Sequence, residues 1–377
     1  MLPYFLLVAF EVGLIVLFYG YKKVSDLKNS QLWYLGLAFF AMFFFSSFRA
    51  PHLGTDYHSY IFALDYVKTT GTYYMEAGYI LLNKIVLLFT DHYFGVAIAT
   101  NLMTMVPLLV MILLCVERKY WPICVMIFLL NPYMYLQSTF NIMRQGCATG
   151  LVIAAVMCLT RKKLWKKLLS VVFIVCAALF HRMAFSMLVL IPVMLIPWKK
   201  KWWVIIGSIA FGINMFGLDL FSLAIRFLSS KYVGYEGSLL NIGVYAMFIF
   251  ALILVICHFY DKLCEDVKHK QFIDLYLLSL SYLLVALPND IAYRIYIMLA
   301  FTAIPAVPVI WEKLGAVRVE KIPVIGKLRL WKKYPKVKSF MPVVPGYTLY
   351  YFGFFTCYIL YFCLTKNTAY IPFSFGF

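Results

Sequence analysis

Charged residues are scarce in this sequence. Asp, Glu, Lys and Arg make up only 13% of its 377 residues, whereas 64% of the residues are hydrophobic. A single water-soluble core cannot bury that much apolar surface, so the composition excludes an ordinary soluble globular protein. Lipid must surround most of the chain. We therefore expect an all-α polytopic membrane protein.

The sequence also lacks the motifs of metal and disulfide sites. Its nine cysteines form no CxxC pair, and no His-x-x-Glu-His pattern occurs. We expect neither a structural disulfide nor a zinc site. We also expect no cleavable signal, because no basic segment precedes the first apolar stretch, residues 2–21. We expect this stretch to be retained as a transmembrane helix.

Apolar stretches of spanning length recur along the chain. A transmembrane helix needs roughly 20 largely apolar residues, and about 12 segments approach this rule. We expect them to form one transmembrane domain that covers residues 1–377. The segments are residues 2–20, 32–48, 94–116, 121–136, 142–160, 168–180, 183–197, 202–218, 241–259, 272–287, 291–311 and 347–364.

The distribution of Lys and Arg orients these spans. Short cytoplasmic loops of membrane proteins carry an excess of basic residues. Six loops on one side hold 25 of the 34 Lys and Arg residues, which makes that side cytoplasmic and places both termini outside. The net charge of +18 is thus a topology signal and does not indicate nucleic-acid binding. The basic cytoplasmic loop, residues 312–345, is expected to lie on anionic headgroups rather than to dock a partner.

Two longer loops face outward in this topology, residues 49–93 and residues 219–240. Residues 76–90 are apolar enough to suggest another span, but they include Asn83 and Lys84. Counting them as a span would also move a strongly basic loop to the outer side, against the positive-inside rule. We therefore expect the first long loop to contain two amphipathic or re-entrant helices, at about residues 57–68 and 76–89.

Arginines at the outer membrane edge are the first candidates for a functional site. Charge at that depth is costly, so each such residue needs a reason. A guanidinium stays charged when it is partly desolvated, and it binds phosphate oxygens with two parallel hydrogen bonds. These arginines are therefore candidates to hold a lipid diphosphate, with pairing to carboxylates or headgroups as the alternative. They are Arg49, Arg144, Arg182 and Arg294.

Two carboxylates and a histidine on the same side are candidates for proton transfer. Asp56 follows a Gly-Thr pair and is either a general base or a turn-capping residue. Glu76 has the same ambiguity, because it could instead cap the helix that follows it. His181 lies beside Arg182, which favours its neutral, proton-accepting form, although a packing role is the simpler interpretation.

Polar and aromatic neighbours complete the candidate set. Gln145 follows Arg144 at the start of the fifth predicted span. Tyrosines of the two outer loops could stack on sugar rings, with anchoring at the membrane interface as the simpler interpretation. These tyrosines are Tyr73, Tyr74, Tyr232 and Tyr235.

Six short motifs and one further arginine stand in order along nearly the whole chain. They are residues 48–60 (FRAPHLGTDYHSY), 76–83 (EAGYILLN), 140–150 (FNIMRQGCATG), 180–182 (FHR) and 231–235 (KYVGY), then Arg294 and residues 371–375 (IPFSF). In this order they resemble the EpsG family of Wzy-type polysaccharide polymerases. The sequence departs from the family pattern at Arg182, where a small residue is usual, and at Phe373, where a tyrosine is usual.

The resemblance implies a GT-C-like membrane glycosyltransferase. Its donor and acceptor would be undecaprenyl-diphosphate-linked oligosaccharides, joined into an O-antigen, exopolysaccharide or capsule at the outer face of the bacterial cytoplasmic membrane. Because the diphosphate is already a good leaving group, neither a metal nor another cofactor is expected. Membrane lipids and a chain-length regulator protein are the other expected partners.

The resemblance also assigns roles to the candidate residues. Asp56 would activate the acceptor hydroxyl, while Arg144 and Arg294 would hold the donor diphosphate. Arg49, Glu76 and His181 would shape or assist the site. The remaining expected substrate contacts are Arg182, Gln145, Tyr232 and Tyr235.

Three other functions are compatible with the sequence. A flippase for the same lipid-linked oligosaccharide would also need many spans and basic residues, but its charges should line a cavity that reaches both leaflets. Another GT-C-like transferase or ligase would add one unit to a different acceptor. A structural scaffold would tolerate substitution of every outer arginine.

The topology predicts the accessibility of the first outer loop. Cysteines introduced by Asp56→Cys and Glu76→Cys should react from outside intact cells with a thiol reagent that cannot cross the membrane. A Lys163→Cys variant in the basic cytoplasmic loop serves as the control and should react only after the membrane is opened. Labelling of positions 56 and 76 only from the inside would contradict the topology.

Overall fold

The computed structural model describes residues 2–131, 133–217, 242–287 and 290–315. Regular secondary structure in these residues is entirely helical, which confirms the predicted fold class at the all-α level. A helix satisfies its backbone hydrogen bonds within one segment, as a lipid-exposed chain requires. The predicted span 347–364 and the second outer loop, residues 219–240, lie outside the described residues, as does most of the basic loop.

The chain forms two compact units, and the described part of the first lies within Met1–Leu188. Turns of 3-10 or π type occur at Val16–Gly20, Arg118–Tyr120, Gln137–Asn141 and Arg182–Val189. The α-helices of this unit are α1 (Leu2–Ile15), α2 (Lys22–Ser25), α3 (Ser30–Ser47), α4 (Tyr57–Thr70), α5 (Ala77–Leu87), α6 (Phe94–Cys115), α7 (Trp121–Leu130), α8 (Met143–Leu159) and α9 (Leu164–Ala178).

The described part of the second unit lies within Val189–Tyr351. Its helices are α10 (Leu190–Leu195), α11 (Lys200–Met215), α12 (Ile242–His258), α13 (Tyr260–Leu263), α14 (Val267–Ala286), α15 (Asp290–Ala300) and α16 (Ala303–Leu314).

Three helices in the described residues are long and apolar enough to cross a membrane. They are Pro3–Gly20, Ser30–Ser47 and Phe94–Cys115, and α15 with α16 would add a fourth if this pair, bent by 55°, forms one span. Several other predicted spans coincide with shorter apolar helices, such as α8. The count of about 12 spans and the GT-C-like arrangement therefore remain predictions.

The two helices predicted within the first outer loop are present. Helix α4 covers Tyr57–Thr70 and α5 covers Ala77–Leu87. On α4, the buried residues Tyr57, Tyr60 and Leu64 recur three or four positions apart, which is the spacing of one helical face. This face packs against α5 and α6 in a core that includes Tyr79 and Val96.

Helix α8 packs closely against α6 through two glycines. Gly146 and Gly150 are four residues apart, the spacing that lets two helix backbones approach each other. A Cβ atom at Gly150 would overlap the carbonyl oxygen of Met103 on α6, and one at Gly146 would lie 2.8 Å from Thr104 Oγ1. The glycines therefore fix the position of α8, whose first turn carries Arg144.

A buried carboxylate links three helices of the second unit. Asp274 of α14 accepts hydrogen bonds of 2.6 Å from Trp203 Nε1 of α11 and from the Tyr260 hydroxyl of α13. Lys270 forms an ion pair with the same carboxylate and donates to the Tyr260 hydroxyl at 2.8 Å. Both carboxylate oxygens are thus satisfied, as a buried charge requires.

This network predicts a stability effect with a control in the same unit. Asp274→Ala leaves the half-buried Lys270 without its carboxylate and should lower the free energy of unfolding by about 3–5 kcal/mol. Asp261→Ala removes an exposed pair with Lys200 and should cost at most about 1 kcal/mol. Thermal unfolding of the two purified proteins measures the difference, and equal melting temperatures would contradict it.

Candidate functional site

Arg49 lies inside the first unit, where it holds backbone groups together. Its side chain is fully buried just beyond the end of α3. The guanidinium donates to the carbonyl oxygens of Ser46 and Phe140, the latter at 3.1 Å, and Cζ lies 4.0 Å from the centroid of the Tyr57 ring. Helix-end carbonyls and an aromatic face both stabilise a positive charge. The predicted contact of Arg49 with a diphosphate does not fit this placement, which suits a positioning role.

A glycine and an asparagine build the turn that carries Asp56. Gly54 has φ +97°, and a Cβ atom there would overlap the carbonyl oxygen of Phe140. Only glycine combines this backbone angle with such a close approach. Asn141 Oδ1 accepts hydrogen bonds from Thr55 Oγ1 at 2.6 Å and from the Asp56 backbone N–H at 2.9 Å. The turn is therefore attached directly to the segment that precedes α8.

The Asp56 carboxylate is not used to cap α4. Asp56 occupies the N-cap position, but its side chain makes no capping hydrogen bond, so the capping alternative is not observed. The side chain is partly exposed, and its Oδ1 lies 3.4 Å from Thr55 Oγ1, whose single proton is donated to Asn141 Oδ1. A carboxylate in this position is accessible to a substrate hydroxyl.

Glu76 and Arg144 form a partly buried ion pair. Glu76 directly precedes α5 in an extended conformation, and its side chain makes no capping hydrogen bond there. The carboxylate instead pairs with Nη1 of Arg144 in the first turn of α8. The two side chains are 17% and 24% exposed, so the pair lies at the edge of the protein interior. Arg144 thus shows the carboxylate pairing that the sequence left open as the alternative to phosphate binding.

Tyr60 adds a hydroxyl group to this region. The centroid of its ring lies 5.9 Å from Arg144 Cζ. Burial raises the pKa of Tyr60 to about 12, Arg144 acts in the opposite direction, and the charge of Asp56 raises the pKa further. The hydroxyl therefore stays protonated near neutral pH and can donate a hydrogen bond. Tyr60 and Asn141 were not among the predicted site residues, although both stand within the motifs at residues 48–60 and 140–150, because their contacts join segments that are distant in the sequence.

The turn that contains His181 packs against the start of α5. The backbone N–H of Gly78 donates to the carbonyl oxygen of Leu179 at 2.8 Å. A Cβ atom at Gly78 would lie 2.8 Å from the same oxygen, so glycine permits the contact. His181 is partly buried and Arg182 is exposed. The contact brings this turn to the helix end that Glu76 precedes.

The other predicted residues include one in the interior of the first unit and one in the second unit. Gln145 is fully buried, and its backbone carbonyl accepts a hydrogen bond from the Thr149 hydroxyl at 2.8 Å. Arg294 is exposed on α15 in the second unit. The predicted contacts Tyr232 and Tyr235 lie outside the described residues.

No metal centre is evident in the described ranges. They contain no group of three or more His, Cys, Asp or Glu side chains that could hold an ion. The first unit brings together Arg144, the Glu76 carboxylate paired with it, and the protonated hydroxyl of Tyr60, with the carboxylate of Asp56 close enough to affect the pKa of Tyr60. This set can bind an anion and move a proton.

Comparison with known proteins identifies one family. A sequence model described as the EpsG family matches residues 32–330. Neither a curated protein nor a solved structure matches the chain significantly. The family match covers well over half of the sequence and includes every predicted site residue from Arg49 to Arg294. It confirms the resemblance drawn from the ordered motifs.

The close approach at Gly54 predicts a position-dependent effect of alanine. Gly54→Ala should lower the free energy of unfolding by roughly 2–5 kcal/mol, because left-handed backbone strain and overpacking against Phe140 both contribute. Gly71→Ala is the matched control, since Gly71 also has a positive φ, +74°, but open space around its Cβ position. It should cost only about 1–2 kcal/mol of strain. Equal losses in thermal unfolding would contradict the tight contact.

Proposed function

This chain belongs to the EpsG family, and from that membership we propose that it polymerises lipid-linked oligosaccharides. The family consists of polysaccharide-polymerase-type membrane proteins. In our proposal the donor and the acceptor are repeat units on undecaprenyl diphosphate. The enzyme joins them into an O-antigen, exopolysaccharide or capsule at the outer face of the bacterial cytoplasmic membrane.

The arrangement around Arg144 is the observation that supports this proposal most directly. A guanidinium has five N–H donors, and a single carboxylate occupies only part of them. Arg144 can therefore keep its pair with Glu76 and still donate to a phosphate oxygen. Its 24% exposure leaves the side chain accessible to a ligand, while partial burial strengthens its attraction for an anion.

The proposed reaction transfers a glycan from a diphosphate to a hydroxyl group. Asp56 takes the proton from the acceptor hydroxyl while the oxygen of that hydroxyl forms a bond to the anomeric carbon of the donor. The bond between that carbon and the diphosphate oxygen breaks, and the diphosphate leaves with both electrons. Arg144 and the Tyr60 hydroxyl stabilise the negative charge that develops on the leaving group.

Neighbouring residues keep these groups in place in the proposed site. Glu76 orients Arg144, and Arg49 holds the end of α3 to the segment before α8. His181 and Arg182 stand on the turn that contacts α5 and are proposed to contact the substrate from there. Arg294, Tyr232 and Tyr235 are retained as proposed substrate contacts.

Substitution of the reacting groups tests the proposal in cells. Asp56→Asn should reduce polymer formation about 10²- to 10⁴-fold, the contribution of a positioned general base. Arg144→Ala should reduce it about 10²- to 10³-fold through loss of charge stabilisation. Both proteins should remain in the membrane at normal amounts, and gel analysis of the surface polysaccharide should show that long chains are lost.

Lys68→Ala provides the matched control. It removes an ion pair with Asp91, 2.7 Å long and exposed, from the same outer loop, and polymer length should not change. Normal chain length from Asp56→Asn would exclude Asp56 as the base, and normal chain length from Arg144→Ala would overturn the proposed site. Accumulation of single units transferred to another acceptor would indicate a ligase instead.

A further inference from the structure

Four aromatic rings form an exposed surface beside the candidate site. Phe62 and Tyr66 belong to α4, and Tyr73 and Tyr74 belong to the connection to α5; we call this surface the aromatic shelf. The ring centroids lie 6.1 Å apart for Phe62 and Tyr66, 5.3 Å for Tyr66 and Tyr73, and 4.2 Å for Tyr73 and Tyr74. Each ring thus contacts at least one other ring of the group, so the four rings are held together without a ligand.

The shelf is accessible although its members are large and apolar. Phe62 is 57% exposed, Tyr66 43% and Tyr74 79%. A contiguous group of exposed apolar side chains, unlike scattered single residues, marks either a ligand-binding surface or a membrane-facing one. Tyr73 is partly buried and packs on the core that contains Tyr60.

The shelf is continuous with the groups proposed to act on the diphosphate. Tyr74 stands only two residues before Glu76. Burial and a hydrogen bond with Tyr74 raise the pKa of Tyr73 to about 12, while the charge of Arg144 acts in the opposite direction. Tyr73 is therefore within electrostatic reach of Arg144. Tyr73 also packs against the core that contains Tyr60, whose ring centroid lies 5.9 Å from Arg144 Cζ, so the shelf and the ion pair belong to the same part of the first unit.

The chemistry around the rings distinguishes the shelf from lipid-facing helix surfaces. On α4 the exposed rings alternate with exposed polar residues, including Asp65 and Thr69. On α3, which is long and apolar enough to span a membrane, the exposed rings of Phe40 and Phe44 instead have the exposed apolar neighbours Gly36 and Leu37. A sugar ring offers apolar C–H faces and hydroxyl groups at once, so it needs aromatic and polar partners together.

We propose that the aromatic shelf binds the oligosaccharide part of the lipid-linked substrate, with sugar rings stacked on Phe62, Tyr66 and Tyr74. This inference rests on the proposed function and names the part of the substrate that this surface takes. The diphosphate lies at Arg144, and the glycan extends from it along α4. The shelf therefore contributes to the selection of the sugar repeat unit.

Kinetics with the purified full-length protein test the shelf. Lipid-linked oligosaccharide extracted from cells that lack the protein serves as substrate. Tyr74→Ala and Phe62→Ala should each raise KM about 3- to 10-fold, the effect of one lost aromatic contact, with little change in kcat. Tyr74→Phe keeps the ring and should restore the KM. Phe89→Ala, at an aromatic that is 84% exposed outside the shelf, should leave KM unchanged.

A second measurement makes the inference independent of turnover. The free oligosaccharide, released from the lipid by mild acid, should show saturation transfer in NMR from the wild-type protein and from Arg144→Ala. The transfer should be lost in the Phe62→Ala/Tyr74→Ala double variant.

The outcomes separate this inference from the proposed function. Elongation by the wild type with an unchanged KM in the double variant, or an equal rise in KM from Phe89→Ala, would overturn the shelf alone. If the wild type does not elongate the substrate, the proposed function fails. Saturation transfer that depends on the shelf would then still support a glycan-binding surface, and transfer that persists in the double variant would exclude it.

Discussion

The ion pair between Glu76 and Arg144 is the interaction on which the candidate site depends. It joins the start of α5 to the first turn of α8, two helices that are far apart in the sequence. Each partner stands on an element that is itself fixed by glycine contacts. Gly146 and Gly150 hold α8 against α6, and Gly78 holds α5 against the turn after α9. The pair is thus formed by packing and does not depend on long flexible side chains alone.

The intermediate burial of this pair suits the proposed chemistry. A fully exposed pair is weak and screened by salt, whereas a fully buried pair costs several kcal/mol of desolvation per ion. At 17% and 24% exposure, the pair is held firmly and still faces solvent. Arg49 shows the opposite case, because its buried guanidinium is surrounded by carbonyls and aromatic rings. The two arginines therefore have different surroundings: Arg144 is partly exposed beside a carboxylate, and Arg49 is enclosed in the interior.

The sequence was informative where a feature depends on local pattern. Amphipathic spacing and charge placement predicted the helices at 57–68 and 76–89, and the structure has them at Tyr57–Thr70 and Ala77–Leu87. Charge at the membrane edge identified Arg144 and Glu76 as candidates. Hydropathy did not reveal where helices stop, since the predicted span 121–136 corresponds to a helix that ends at Leu130. The bend of 55° between α15 and α16 could not be predicted from the hydropathy either.

Features that depend on contacts between distant segments could not be predicted. The hydrogen bond from Arg49 to Phe140 joins residues 91 positions apart, and the support of the Asp56 turn by Asn141 spans 85 positions. The spacing of Tyr60 along α4 indicates only that it belongs to the buried face of this helix. The tertiary structure places it near Arg144. Side-chain identity thus suggested the chemistry of the site, while tertiary packing decided which residues take part.

The central claim is that Glu76 and Arg144 act as one unit in glycan transfer. A double-mutant cycle tests it most directly, with purified protein in vesicles and lipid-linked oligosaccharide as substrate. The account predicts that Glu76→Gln, Arg144→Gln and the double variant lose similar amounts of elongation rate, because removing either partner disables the same unit. Losses that multiply in the double variant, or transport of the substrate across the vesicle without longer products, would contradict the account.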